Sequence, residues 1–204
     1  MLFDDTYRTI AQPAEGIFRD RGSKFLGFAF PVKSTEEIAA HLEQLRKDHH
    51  SARHHCYAWR LGADHAAWRV NDDGEPSGTA GKPIYGQIQS SDLTNVVIIV
   101  VRYFGGTLLG VGGLINAYRA ATHEAIANAR IIEKHITEIY RVEFPYDAMN
   151  TVMKILKDKD LPQTNQDFQL ECKLDYSVRK SEADAVKEQL EKVSGVKLVW
   201  LRTE

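Results

Sequence analysis

The chain has 204 residues, 43% apolar and 26% charged, with a formal net charge of −2 and a pI near 6.5. That balance belongs to an ordinary globular protein with room for one or two cored domains. It excludes a polycation that clamps nucleic acid by bulk charge.

In chain order, Tyr7–Ala11 and Glu15–Asp20 read as short strands, and Arg21-Gly22-Ser23 as the turn into a strand over Lys24–Val32. Ser34 and Glu37 have capping-box spacing, and Ile38, Leu42 and Leu45 then mark one face of a helix reaching about His49. His55–Leu61 and Ala66–Val70 are further strands. A turn-rich loop, Asn71–Pro83, follows, with Thr79 placed to cap a short helix that carries Ile84, Tyr85 and Ile88.

The most informative stretch comes next. Six consecutive β-branched residues, Val96–Val101, predict a strand buried on both faces. Arg102, Tyr103, Phe104 and five glycines (105, 106, 110, 112 and 113) form a bend, and Leu114, Ala117, Tyr118, Ala121 and Ala125 mark a helix beyond it. A glycine-rich bend that opens a helix leaves amide hydrogens unpaired and lets another molecule approach the backbone closely.

From about Ile132–Ile136 a second rhythm begins: strand Thr137–Phe144, helix Asp147–Lys159, a strand pair or one long bent strand over 165–178, helix Ser181–Val193, strand Val196–Leu201. That is the β-α-β-β-α-β order of ferredoxin-like folds. The expected class is α+β with two domains, 1–134 and 135–204. No apolar run approaches a membrane span. The acidic start, with Asp4 and Asp5, is unlike a signal peptide, and Cys56 and Cys172 read as buried free thiols. The expected location is the cytoplasm, with no membrane partner.

The block Arg102–Leu114, joined to Asp72-Asp73-Gly74-Glu75-Pro76-Ser77-Gly78-Thr79-Ala80-Gly81-Lys82-Pro83 and to Arg53-His54-His55-Cys56-Tyr57-Ala58, closely resembles the IMPACT family, including its bacterial, YigZ-like members. The likeness covers essentially the whole chain. It implies an N-terminal domain like domain 2 of ribosomal protein S5. It also implies a C-terminal ferredoxin-like domain similar to domain V, the last domain, of translation elongation factor G. Eukaryotic members act in translational control by occupying the activator of an initiation-factor kinase, and they carry an additional recruitment domain. No counterpart of that domain is read in this sequence, so that partner and pathway are not expected to transfer.

The candidate ligand surface gathers Arg53, His54, Asp72, Asp73, Glu75, Gly78, Thr79, Gly81, Lys82, Arg102, Tyr103, Phe104, Gly105, Gly106, Gly110, Gly112 and Gly113. In this reading the 110–113 amides hold an anion, Arg102 adds a bidentate donor, and Tyr103 or Phe104 a stacking face. The 78–81 amides form a second wall. The glycine spacing fits neither a P-loop nor a dinucleotide fingerprint. Asp72, Asp73 and Glu75 could gather a divalent cation with His54 nearby, which gives an alternative: a metal-dependent phosphate-ester hydrolase. The spacing is not that of an EF-hand, and none of the histidines has zinc spacing. No catalytic residue, metal or cofactor is assigned. The expected role is a regulatory or binding protein in contact with RNA, the ribosome or a ribosome-associated protein.

Overall fold

The computed structural model describes residues 5–204. The chain divides into two compact units: Arg8–Lys134, and His135–Glu204 together with residues 5–7. The first strand therefore straddles the partition, whereas the sequence reading gave every residue before 135 to the first domain.

Up to residue 135 the strands are β1 (Thr6–Ile10), β2 (Ala14–Asp20), β3 (Ser23–Pro31), β4 (His54–Leu61), β5 (Ala67–Asn71), β6 (Val96–Tyr103) and β7 (Ile131–His135). The helices are α1 (Thr35–Asp48), α2 (Gly81–Ser90) and α3 (Gly110–Ala127). Five strands form one sheet in the order β2-β3-β6-β4-β5, every neighbouring pair antiparallel, and β1 pairs with β7 apart from it. The sequence reading placed the start of the second rhythm near Ile132–Ile136 and gave no strand there, whereas β7 occupies Ile131–His135.

Side chains alternate along β6. Val96, Ile98 and Val100 pack with Ile84 and Ile88 of α2 and Leu114, Tyr118 and Ala121 of α3. Val97, Ile99 and Val101 pack with Ile38, Leu42 and Leu45 of α1. A strand covered on both sides is why the run carries no polar alternation. Helix α3 lies close on the β2–β3 hairpin because Gly16 and Gly27 are cross-strand partners beneath it. A Cβ at Gly27 would stand 2.6 Å from the Ala121 carbonyl oxygen, and one at Gly16 2.3 Å from the Ala125 nitrogen. Ser34 caps α1 as its spacing predicts, accepting the Glu37 amide at 3.3 Å.

The second unit contains β8 (Thr137–Pro145), α4 (Met149–Asp158), β9 (Gln163–Phe168), β10 (Glu171–Arg179), α5 (Lys180–Glu191) and β11 (Lys197–Thr203). Its sheet order is β11-β8-β10-β9, all antiparallel, the arrangement of a ferredoxin-like fold. Val142, Phe144, Cys172, Leu174 and Val178 meet Val152, Leu156, Val186 and Leu190 in one core. The region 165–178 is two strands, not one.

Candidate functional site

Strand β6 runs through Arg102 and Tyr103, and α3 begins at Gly110, three residues before the end of the glycine run. Both shifts change the site. Continued alternation puts Arg102 on the α2/α3 face and turns Tyr103 to the α1 face. There Tyr103 packs with the core under α1, and its hydroxyl lies 2.8 Å from His49 Nδ1. Tyr103 therefore does not share a face with Arg102.

Arg102 itself is 6% exposed. Its Nη1 donates to Glu75 Oε1 at 2.6 Å, and its guanidinium lies between the rings of Phe25 and Phe104, 5.4 and 5.6 Å from their centroids. The Tyr118 hydroxyl donates to the same Glu75 oxygen at 2.7 Å, and the Cys56 thiol reaches the Tyr118 hydroxyl at 3.3 Å and the Asp72 carbonyl at 3.0 Å. Burial pushes the Cys56 thiol and the Tyr118 phenol above their ordinary ranges and so disfavours their ionised forms. This network is an interior brace between β4, β6, α3 and the loop before α2. The expectation that Arg102 grips a phosphate is corrected: its charge is spent on Glu75.

The second wall is also spent inward. The Asp72 carboxylate accepts from Gly78, Ala80 and Gly81 at 2.8, 3.1 and 2.8 Å. Burial works against that carboxylate, yet the three amides hold it below its usual range. Asp72, eight residues ahead of Ala80, therefore caps α2. Thr79, expected to do so, donates its hydroxyl to the Pro76 carbonyl at 2.6 Å. Asp73 Oδ2 accepts the His55 amide at 2.7 Å, and the Asp73 carbonyl lies 2.9 Å from His54 Nδ1. His54 stands directly across from Arg102 in the β4–β6 register, so these two residues are brought together. Asp72, Asp73 and Glu75 thus have three separate sets of partners. Among the described residues, no group of three His, Cys, Asp or Glu is placed to hold a metal ion. Arg53 and Lys82 are exposed.

What remains open is the start of α3. Leu109, its N-cap, makes no side-chain cap bond, and the first turn carries no acidic residue. Chain neighbours and the helix's own backbone aside, nothing among the described residues stands within 4 Å of a Cβ built at Gly106, Gly110 or Gly112. Gly106 and Gly110 have φ of +87° and +71°, which explains glycine there, whereas Gly112 has no such requirement. Gly113 is half-buried, its added Cβ 2.9 Å from Leu109 Cβ. Gly105 serves packing, since a Cβ on it would lie 1.9 Å from the Gly22 carbonyl carbon. Around the open turn, Phe104, Leu108 and Val111 are exposed, Leu108 at 81%. Sequence reasoning missed Leu108 and Val111 because isolated apolar residues in a bend carry no periodic signal.

The Impact N-terminal domain family model matches residues 21–126, which contain the brace, the Asp72 loop and the open turn of α3. The chain belongs to the IMPACT family. IMPACT family member YigZ of Escherichia coli (strain K12) is 34% identical over 161 residues, 78% of this chain and 79% of that protein. IMPACT family member YvyE of Bacillus subtilis (strain 168) is 27% identical over 192 residues, 94% of this chain and 88% of that one. A crystal structure described as that of a hypothetical protein superposes with a TM-score of 0.78 at 29% identity, covering 97% of this chain and 98% of the other. No helix among the described residues is long and apolar enough to cross a membrane.

Proposed function

We propose that this IMPACT family chain is a non-catalytic, cytoplasmic binding protein of the translation apparatus. It holds RNA, the ribosome or a ribosome-associated protein on the open start of α3. One observation carries this reading: Gly112, in the first turn of α3, faces open space in a helical conformation that any residue adopts. Glycine is a weaker helix former than alanine, by about 1 kcal/mol in a helix interior, and no contact among the described residues accounts for it. A surface that must admit another molecule to the backbone does. The unpaired amides of a helix start take phosphate or carboxylate oxygens, and exposed Phe104, Leu108 and Val111 add an apolar rim. The buried brace contributes by fixing the end of β6, from which the bend departs.

The alternative, a metal-dependent hydrolase at Asp72, Asp73, Glu75 and His54, has weaker support, because each carboxylate already answers its own donors. Crosslinking in cells, followed by identification of the RNA and protein that co-purify, tests the proposal. Ribosomal RNA or ribosome-associated proteins recovered with wild type and depleted with Gly112→Val are the expected result. Recovery of neither, or equal recovery with both, overturns it.

A further inference from the structure

Three aromatic side chains form one row across three neighbouring strands of the second unit. Trp200 on β11 stands opposite Tyr140 on β8, and Tyr140 opposite Tyr176 on β10. The tyrosine rings stack, with centroids 5.7 Å apart and planes at 18°. The row passes from interior to rim: Tyr176 is buried in the core, while Trp200 is 57% exposed.

An exposed tryptophan is ordinarily free to change rotamer, but this one is held. Its Nε1–H donates to Glu138 Oε2, and the nearly buried Glu138 carboxylate also accepts the Thr203 hydroxyl at 3.1 Å. The pairing of β11 with β8 shifts register immediately after Trp200. Such irregularities re-aim a neighbouring side chain, often beside a site. A fixed ring loses little entropy on receiving a ligand.

Between this strand edge and the start of α5 lies a cavity of about 420 Å³, whose lining includes Glu138, Tyr140, Lys180, Ser181, Asp184 and Trp200. Burial raises the Tyr140 phenol, and the charges of Glu138 and Asp184 raise it further, so both carboxylates act on the same aromatic wall. We infer that this cavity receives a basic side chain, arginine above all, presented by a protein partner. Aromatic faces attract cations, and a guanidinium both stacks on a ring and forks onto a carboxylate. Lys180 is the one cation in the lining among the described residues. It precedes Asp184 by four residues on α5 without an ion pair between them, and with Glu138 holding Trp200 and Thr203, the exposed Asp184 carboxylate and the rings are left to the guest. The same carboxylates repel a phosphate backbone, so the cavity is unsuited to RNA. The inference concerns the second unit and does not depend on the reading of α3.

The test uses the full chain labelled with nitrogen-15, following the Trp200 indole N–H resonance, assigned with Trp200→Phe. The titrants are an end-blocked Gly-Arg-Gly peptide, its citrulline analogue and cytidine monophosphate. Citrulline keeps the planar head of arginine without its charge. The arginine peptide is expected to shift the resonance, with a dissociation constant on the order of 1 mM for a single anchoring side chain. Citrulline is expected to shift it at least about fivefold less at equal concentration. Asp184→Asn should weaken the arginine response about threefold, and Lys180→Ala should strengthen it. No response to arginine, equal responses to arginine and citrulline, or a stronger response to the nucleotide overturns the inference.

Discussion

Arg102 and Glu75 form a buried ion pair, Nη1 to Oε1 at 2.6 Å, both side chains under a tenth exposed. The pair ties the last turns of a central strand to the loop ahead of α2. Its worth lies less in net stability than in what happens when it is broken, because a lone buried charge cannot recover its hydration. Arg102→Met leaves Glu75 with only the Tyr118 hydroxyl. Urea unfolding should show a loss of about 3–5 kcal/mol, and Glu75→Gln, which leaves the Arg102 guanidinium buried without its counter-charge, a loss of similar size. A loss below about 1 kcal/mol for Arg102→Met would mean that the brace is not buried as described.

Two glycines of the same bend separate packing from function. Gly105→Ala places a methyl within bonding distance of the Gly22 backbone, so the β2–β3 turn must shift. A lowered Tm is expected, equivalent to at least about 2 kcal/mol. Gly112→Ala meets nothing and gains helix propensity, so Tm should hold or rise, by up to about 1 kcal/mol equivalent. Thermal melts of the two variants side by side check this, and a Gly112→Ala melt as low as that of Gly105→Ala would contradict it.

The cap on α2 gives a pH signature. Asp72 has a folded-state pKa held below its unfolded value near 3.8. Its contribution is therefore complete above that value and drains away as pH falls through the folded-state pKa. Asp72→Asn lacks this dependence. The stability gap between wild type and Asp72→Asn should be widest at neutral pH and shrink below about pH 4. A gap that stays constant down to pH 2.5 would place the capping role elsewhere.

Both cysteines are free and buried, and burial raises the Cys56 thiol. Native protein should leave both unlabelled by a thiol reagent over minutes at pH 8, and denaturant should release two reactive thiols per chain. Rapid labelling of Cys56 in native protein would show that the network with Tyr118 opens to solvent.

Local patterns carried much of the fold. Six β-branched residues from Val96 announced a doubly covered strand, and Ser34 with Glu37 announced the start of α1. The order of the second unit followed from strand and helix periodicity alone. Pairings between distant residues were not legible. Arg102 at the end of an apolar run looks like a head group reaching for solvent, and nothing local points to Glu75, 27 positions upstream. Thr79 beside a helix start looks like its cap, but Asp72 does that work across a loop. Tyr103 was grouped with Arg102 although strand alternation alone sends the two to opposite faces. The row of Trp200 with Tyr140 exists only once β8 and β11 pair in register, so no local pattern shows it.

Co-sedimentation with purified ribosomes at physiological salt tests the open turn of α3 most directly, with wild type and Gly112→Val compared at equal concentration. The account predicts that wild type pellets with ribosomes, whereas the valine variant, with unchanged Tm, pellets at least about fivefold less. Equal pelleting of the two proteins, or none by the wild type, would contradict it.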